Sequence, residues 1–273
     1  YSNPQVPKYS VHDITRIGLS KKKLAELIDV GNFHLHQVPE DMKLSDAQRN
    51  QISAHISNSA FINNGKIAEE LENLVYPLYF IDYETFPSAI PMFDGFSPYQ
   101  QIPFQYALFV LEKSGGKSTR FEFLHAENSD PSRLFAESMQ KHIGNTGNII
   151  VWSKKFECSR NKELAERIPD FKEFFDSVNN RTYDLMDIFT KQHYVHKDFR
   201  GSVSIKKVQP VLAPELSYKE LAIQEGGTAA SSWIKLIGNE LSVAEKTQLK
   251  KDMLTYCKMD AFAMVRILEE LNK

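Results

Sequence analysis

Tyr79-Phe80-Ile81-Asp82-Tyr83-Glu84-Thr85 is the stretch that decides the fold prediction. The almost continuous apolar run that ends at Ile81 is typical of a central strand buried on both faces. Because side chains alternate along a strand, Asp82 and Glu84 point to the same face. Two carboxylates at such a short separation destabilise the folded chain unless water surrounds them or a cation neutralises them. On spacing alone, a strand end that emerges into solvent is the commoner explanation.

The sequence around this stretch predicts a mixed sheet with helices packed against it. Three strands joined by short turns come first, and then a helix leads into a fourth strand. Ser114-Gly115-Gly116 supplies a hairpin turn between the second and third strands. The predicted strands are 77–82, 103–111, 120–124 and 148–152, and the predicted helix is 130–142.

Helical periodicity dominates both ends of the chain. Residues 1–75 contain three helical stretches, 21–30, 45–57 and 66–74, and are predicted to form a small helical lead-in. Residues 76–273 are predicted to form the α/β domain. Its further helices are predicted at 158–167, 171–178, 186–193, 217–223, 229–237 and 244–271. Residues 194–214 lack clear periodicity, which predicts a functional loop or a connector.

Composition limits the classes of function. The net charge of -2 and pI near 6.5 give no global attraction to polyanions, so nucleic-acid binding would require locally concentrated cations. Cys158 and Cys257 lack the spacing of a disulfide framework or zinc site, which favours a reduced, cytoplasmic protein. No apolar run approaches the roughly 20 residues of a membrane helix. Because the first residue is Tyr1, we expect a fragment of a longer protein.

A late helix carries a second set of polar residues. Tyr256 and Asp260 are four residues apart and therefore share one helix face. A phenol in that position can orient a water molecule while the carboxylate binds a metal. Taken alone, a core tyrosine near an unrelated surface acid is the commoner explanation.

A third acid follows the predicted strand 148–152. The strand runs into a short polar turn, and Phe156 and Glu157 then open a helix. An acid near a helix N-terminus is favoured by the helix dipole, so a capping role for Glu157 is the alternative to a role in chemistry.

Taken together, these three sites resemble the three exonuclease motifs of the DnaQ-like superfamily, in its tyrosine-bearing (DEDDy) branch. The resemblance covers residues 78–273. It implies a ribonuclease H-like fold with two divalent cations, Mg²⁺ or Mn²⁺, held by four carboxylates. It assigns Asp82 and Glu84 to motif one, Glu157 to motif two, and Tyr256 and Asp260 to motif three.

Motif two departs from the family pattern. The family has an aspartate there, often after an asparagine, whereas this chain has Glu157 with Ser153 or Lys154 in place of the asparagine. Magnesium requires ligands at about 2.0–2.1 Å in near-octahedral geometry, so a longer side chain fits only if the backbone recedes or a water intervenes. Asp184 is the alternative fourth ligand, or a residue near the site.

A narrower resemblance rests on residues 201–208 and 214–218. These segments look like part of a bacterial domain of unknown function. In that family the domain commonly lies C-terminal to a Cas4-like (PD-(D/E)XK) nuclease domain. This resemblance implies an architecture more than a function.

The exonuclease resemblance implies a 3′–5′ phosphodiesterase that acts on DNA or RNA, at a single-stranded 3′ end. Asp82 would bind both cations, Glu84 and Asp260 would complete one site, Glu157 would help the other, and Tyr256 would orient the attacking hydroxide. Cationic and aromatic side chains would contact the substrate. These candidates are Lys154, Lys155, Tyr194, Arg200, Lys206 and Phe86.

Alternative interpretations remain open. The charged loop 191–200 is also typical of a solvated face, and Phe86 could simply pack on its own sheet. A nucleic-acid-binding module of the same fold without catalysis would explain the departure at Glu157. A phosphohydrolase for small nucleotides would use the same two-metal chemistry. A purely structural or protein-binding role would leave the three motifs as a coincidence.

Overall fold

Seven strands and ten α-helices make up residues 5–273, the part of the chain that the computed structural model describes. The strands are β1 (Phe61–Ile62), β2 (Leu78–Pro87), β3 (Gln101–Leu111), β4 (Thr119–Leu124), β5 (Asn148–Val151), β6 (Thr182–Asp184) and β7 (Tyr194–Val195). The helices are α1 (Lys21–Asp29), α2 (Asp46–Ser57), α3 (Asn64–Leu71), α4 (Ser132–His142), α5 (Lys154–Arg167), α6 (Lys172–Asn180), α7 (Asp187–Thr190), α8 (Ile205–Leu212), α9 (Gly226–Ile237) and α10 (Val243–Leu271).

The chain divides into two compact units. The helical unit runs to Glu72 and includes Met186–Val211, and the sheet unit comprises Asn73–Leu185 and Leu212–Lys273. The helical unit thus contains the predicted lead-in 1–75 only as far as Glu72, together with a later segment. The first four residues of the lead-in lie outside the described part of the chain.

The helical unit has its own small core. The buried side chains of this core come from the first helices and the turns between them: Val11, Ile14, Ile17, Leu27, Leu35 and Ile52. Ser45 caps α2 as its position predicts, because its hydroxyl accepts a hydrogen bond from the backbone of Gln48. The short strands β1 and β7 pair antiparallel within this unit.

The sheet unit is built around β2. The strand order is β4-β3-β2-β5-β6, with β2 antiparallel to β3 and parallel to β5. The predicted mixed sheet flanked by helices is therefore confirmed. Neighbours on both sides and helices on both faces explain why β2 is apolar along almost its whole first half.

Helices cover both faces of the sheet. Tyr79, Ile81 and Tyr83 of β2 pack against side chains of α4, α5 and α6. On the other face, β3 packs against α9 and α10, and the rings of Phe104 and Trp233 stack with their centroids 4.7 Å apart. Because β2 alternates, Asp82 and Glu84 face the side of α10.

Two local predictions are wrong. Residues 217–223, predicted as a helix, are irregular, because Tyr218 and Ile223 instead place their side chains in the core beneath α9 and α10. Residues 194–214, predicted as a loop or connector, contain α8. Its apolar residues Ile205, Val208 and Leu212 follow helical spacing, and Val208 and Leu212 are buried.

Other elements differ in their bounds. Helix α5 begins at Lys154, four residues before the predicted start, and α7 is only four residues long. Strands β1, β6 and β7 were not predicted, because two or three residues are too few for a period to be recognised. Within residues 5–273, no helix combines the length and the apolarity that crossing a bilayer requires.

The loop before β5 generates a stability prediction. Gly147 has φ +84°, and a Cβ added there would overlap the backbone of Pro77. Gly115 has φ +67° with open space around it. We expect Gly115→Ala to cost about 1–2 kcal/mol from backbone strain alone, and Gly147→Ala to cost roughly 3 kcal/mol or more because overlap adds to strain. Urea unfolding of both variants measures the difference, and equal losses would show that the close approach to Pro77 adds nothing to the strain.

Candidate metal centre

Strand β2 places two carboxylates under helix α10. In the β2–β3 ladder, Asp82 lies opposite Ala107 and Glu84 opposite Gln105, and the register shifts directly after Glu84. Such an irregularity bends the strand and turns the side chains that follow it. The methyl group of Ala107 leaves room above it for α10. Glu84 is buried and Asp82 is half-buried.

Helix α10 brings the third carboxylate. Asp260 is only 6% exposed, and Tyr256 lies one turn before it and is also buried. Ala261 and Ala263 are fully buried small residues, which allow the helix to approach the sheet closely. The thiol of Cys257 donates a hydrogen bond to the backbone carbonyl of Asp82 at 3.6 Å.

These residues line one open cleft of about 270 Å³. The structure thus brings together Asp82, Glu84, Tyr256 and Asp260, four of the five residues predicted as catalytic. One carboxylate oxygen each of Asp82 and Glu84 lies within 4.8 Å of the other and of the Cys257 sulfur. The full lining is Asp82, Tyr83, Glu84, Thr85, Phe156, Gly226, Tyr256 and Asp260.

Tyr218 is a site residue that the sequence did not identify. Its hydroxyl donates a hydrogen bond to Asp260 Oδ1 at 2.5 Å, and its ring packs edge-on against Tyr256. It belongs to the segment 214–218 that carried the narrower resemblance, but 42 residues of chain separate it from Asp260. No local spacing relates residues that far apart.

Gly226 was also missed. It opens α9 and lines the cleft, and a Cβ placed there would lie 3.8 Å from Glu84 Oε2. A Cβ at that distance would be in ordinary van der Waals contact with Glu84. Because the glycine has no Cβ, the cleft is wider beside Glu84.

Burial and negative charge keep the groups around the acids protonated. Burial, followed by the charge of Asp260, raises the pKa of both Tyr218 and Tyr256 far above the usual phenol value. Burial, followed by the charges of Asp82 and Glu84, also raises the pKa of the Cys257 thiol. Both phenols therefore act as hydrogen-bond donors rather than bases. The neutral thiol leaves oxygen as the donor type, which suits Mg²⁺ or Mn²⁺.

Glu157 occupies a different environment from the other acids. It is 3% exposed, and Oε2 has no hydrogen-bond partner among the described residues. Burial raises its pKa to about 8, with a further contribution from the charge of Asp184. Its charge also acts on the buried phenol of Tyr83, while the preceding residue, Phe156, lines the cleft. Its role as a ligand stays a prediction, and any cation it binds must displace a proton.

Asp184 shapes the turn that leads to Glu157. Its carboxylate accepts hydrogen bonds from the backbone N–H groups of Ser153, at 3.0 Å, and Lys154, at 2.8 Å. Ser153 has φ +91°, an unfavourable conformation for a residue with a side chain. Asp184 thus stabilises a strained strand-to-helix turn and the first turn of α5, in keeping with a position near the site.

Three of the predicted substrate-binding residues lie in the sheet unit. The ammonium group of Lys154 donates to the carbonyl oxygen of Thr182 at 2.6 Å. Lys155 is exposed and lines a shallow depression together with Phe156 and Arg160. Phe86 is half-buried, and its ring lies 5.9 Å from that of Trp233, so it contributes to the core on this face.

The other three belong to the helical unit. Tyr194 packs against the ring of Phe199 at 5.8 Å, and the guanidinium group of Arg200 lies 5.2 Å from the ring centroid of Tyr9. Lys206 lies in α8. Their contact with a substrate stays a prediction.

Residues 79–204 match a family described as a domain of unknown function (DUF2779). The matched range includes Asp82, Glu84 and Glu157 and ends before Tyr218, Tyr256 and Asp260. The narrower resemblance, to a bacterial domain of unknown function, is borne out at this level.

The matches to similar proteins cover more of the chain than the family match does. An uncharacterized protein of Ureaplasma parvum serovar 3 is 27% identical over 95% of this chain and 40% of its own length. An uncharacterized protein of Mycoplasma genitalium is 26% identical over 80% of this chain and 35% of its own length. The chain therefore spans about two fifths or less of these relatives. No solved structure matches the chain.

The environment of Glu157 predicts how stability depends on pH. Because its pKa rises from 4.5 to about 8 on folding, the folded state holds a proton that the unfolded state releases. Without added metal, stability should therefore fall as pH increases from about 5 to 8, by at most about 1.4 kcal/mol per pH unit from this group. Glu157→Gln should remove this part of the slope in urea unfolding.

Glu166→Gln is the matched control, because Glu166 is exposed on the same helix. The control should keep the slope of the wild type. A slope unchanged in Glu157→Gln would show that Glu157 titrates normally in the folded chain.

Proposed function

We propose that this chain is a metal-dependent 3′–5′ exonuclease-type phosphodiesterase that acts on a single-stranded 3′ end of DNA or RNA. The observation that carries the proposal is the meeting of Asp82, Glu84 and Asp260 with Tyr256 in one cleft. A structural protein gains nothing from grouping three carboxylates at a sheet–helix junction, because their mutual repulsion and desolvation are unfavourable.

The donor set fits divalent cations. Asp82 and Glu84 offer carboxylate oxygens within 4.8 Å of each other. Asp260 lines the same cleft, and it is buried, as is Glu84. These three residues would hold the first cation, and the buried, unpartnered oxygen of Glu157 would serve a second. Bound Mg²⁺ or Mn²⁺ would lower the pKa of a water nucleophile and stabilise the oxygens that attack and leave the phosphorus.

The protein's own groups orient the reactants. Tyr256 stays neutral and hydrogen-bonds to Asp260. Donation of its phenol hydrogen to a water or a phosphate oxygen would replace that bond. Tyr218 fixes the direction of the Asp260 carboxylate through a short hydrogen bond. Gly226 has no side chain to fill the cleft beside Glu84, and Phe156 lines another part of the cleft. The absence of a side chain at Gly226 leaves space for a terminal nucleotide.

The DnaQ-like, ribonuclease H-like resemblance supports the same activity. Its motifs one and three correspond to the four residues that line the cleft, and the acidic strand is the central strand of a mixed sheet. The greater length of the relatives leaves room for the N-terminal Cas4-like domain that the narrower resemblance implies. The unbridged cysteines Cys158 and Cys257 support a cytoplasmic location.

A nucleic-acid-binding module with weak or no catalysis is the second candidate. The observation that favours it is the burial of Glu157, whose raised pKa makes a second cation compete with a proton. Calorimetric titration with Mn²⁺ separates the candidates. Two bound ions per chain support the two-metal enzyme, and one ion or none supports the second candidate.

Loss of a cleft carboxylate should abolish the proposed activity. We expect Asp82→Asn and Asp260→Asn each to lower the Mn²⁺-dependent degradation of a 5′-labelled single-stranded oligonucleotide by at least about 100-fold. Mn²⁺ should also raise the melting temperature of the wild type and not that of Asp82→Asn. Asp252→Asn, two helical turns before Asp260 on α10, should retain both properties.

Two outcomes would contradict this assignment. Equal activity in the wild type and Asp82→Asn would identify a contaminating nuclease. Turnover of a nucleoside monophosphate ester without degradation of any oligonucleotide would identify a small-nucleotide phosphohydrolase instead.

Tyr218→Phe tests separately whether Tyr218 orients the Asp260 carboxylate. Removing the hydroxyl deletes one hydrogen bond to the carboxylate and keeps the ring in place. We expect Mn²⁺ affinity or activity to fall by about 10–100-fold, as for other groups that orient metal ligands. Tyr99→Phe is the control, because Tyr99 is exposed and lies outside the cleft lining. Equal metal titration curves for Tyr218→Phe and the wild type would exclude the orienting role.

A further inference from the structure

A second depression of the sheet unit lies between the edge strand β4 and helix α10. We call it the basic groove, and its volume is about 380 Å³. It shares no residue with the cleft, and none of its lining residues was predicted from the sequence to be a catalytic, metal-binding or substrate-binding residue. It is lined by Arg120, Glu122, Thr247, Lys250, Lys251, Leu254, Thr255 and Lys258.

Positive charge is concentrated in the basic groove. Four of its side chains are cationic and only Glu122 is acidic, although the whole chain has a net charge of -2. Glu122 lies 3.7 Å from Arg120, both partly exposed. Lys250, Lys251 and Lys258 form no ion pair with any residue in the described part of the chain. Their charges are thus available to an external anion.

The basic groove and the cleft lie on the same face of the sheet. Asp82 pairs with Ala107, and Ala107 pairs with Glu122 across the next ladder. Residues directly opposite each other in antiparallel strands share a face. Strands are about 4.8 Å apart, so Glu122 lies about 10 Å across the sheet from Asp82. Helix α10 contributes Tyr256 and Asp260 to the cleft and three lysines to the basic groove.

The dimensions and chemistry suit a nucleic-acid backbone. Lys250 and Lys258 are eight residues apart on α10, about 12 Å along the helix axis, enough for more than one phosphate. Lysine and arginine side chains of this kind contact phosphates rather than read base edges. An acidic protein would also be attracted, but the shared sheet face with a candidate phosphodiesterase centre favours nucleic acid.

We propose that the basic groove binds the phosphate backbone of single-stranded nucleic acid, independently of sequence, on the strand whose 3′ end enters the cleft. This inference rests on the proposed function and adds the path of the substrate. Binding here depends on Lys250, Lys251 and Lys258 acting as point charges that release counterions from the strand, so it weakens as the salt concentration rises.

The test is a salt titration of affinity. Binding of a fluorescent single-stranded oligomer of about 16 nucleotides is measured in EDTA between about 50 and 200 mM salt. The triple variant Lys250→Gln/Lys251→Gln/Lys258→Gln should bind at least about ten-fold more weakly, and its slope of log affinity against log salt should be shallower by about 2. Thermal melting checks that the variant folds.

The matched control removes three charges from the opposite face of the sheet. Lys141→Gln/Lys162→Gln/Lys172→Gln changes α4, α5 and α6, which pack on that face. This control should retain the slope of the wild type. Single variants of Lys250, Lys251 and Lys258 replace the triple variant if it does not fold, and each should reduce the slope by about 0.7.

The outcomes separate this inference from the proposed function. If the groove variant loses binding and the control triple does not, the proposed role of the basic groove is supported. If in addition no form cleaves the oligonucleotide, the proposed exonuclease activity is contradicted while the groove proposal stands. Equal slopes in the wild type and the groove variant, or equal loss in the control triple, would overturn the groove even if the wild type cleaves. Competition by polyglutamate as effective as that by the oligonucleotide would assign the groove to an acidic protein instead.

Discussion

Repulsion among Asp82, Glu84 and Asp260 is the constraint on which the sheet unit depends. Three carboxylates, two of them buried, meet where β2 passes beneath α10. Hydrophobic packing on both faces of β2 holds them together against that repulsion. Phenols supply part of the compensation, since Tyr218 donates a short hydrogen bond to Asp260 and Tyr256 lies against the same carboxylates. The remaining negative charge is what a cation would neutralise.

Much of the sheet unit follows from local pattern. The apolar run of β2 and the hairpin of β3 and β4 were predictable, because strand burial and turn chemistry depend on consecutive residues. The same holds for the acids: strand alternation puts Asp82 and Glu84 on one face, and helical spacing does so for Tyr256 and Asp260. The resemblance to the DnaQ-like motifs implied that these two pairs meet, and both pairs line the cleft.

Contacts between distant segments were not predictable in this way. Tyr218 reaches Asp260 across 42 residues from a segment without regular structure. Helical spacing around it suggested a helix, but the packing of half-buried Tyr218 and buried Ile223 against residues of α9 and α10 determines the conformation instead. The environment of Glu157 is similar, because its burial follows from the strained turn at Ser153 that Asp184 stabilises from a neighbouring strand. Sequence locates such residues but does not show their partners.

Helix α10 shows how one element can serve opposite electrostatic demands. Tyr256, Cys257 and Asp260 are buried against β2, whereas Lys250 and Lys251 are exposed beside β4. A helix completes a turn every 3.6 residues, so residues separated by one or two positions face different neighbours. Lys258 lies between Tyr256 and Asp260 in sequence yet lines the basic groove. The cations are thus fixed relative to the acids by the helix itself. The strand positions of Glu122 and Asp82, one at each site, are about 10 Å apart across the sheet.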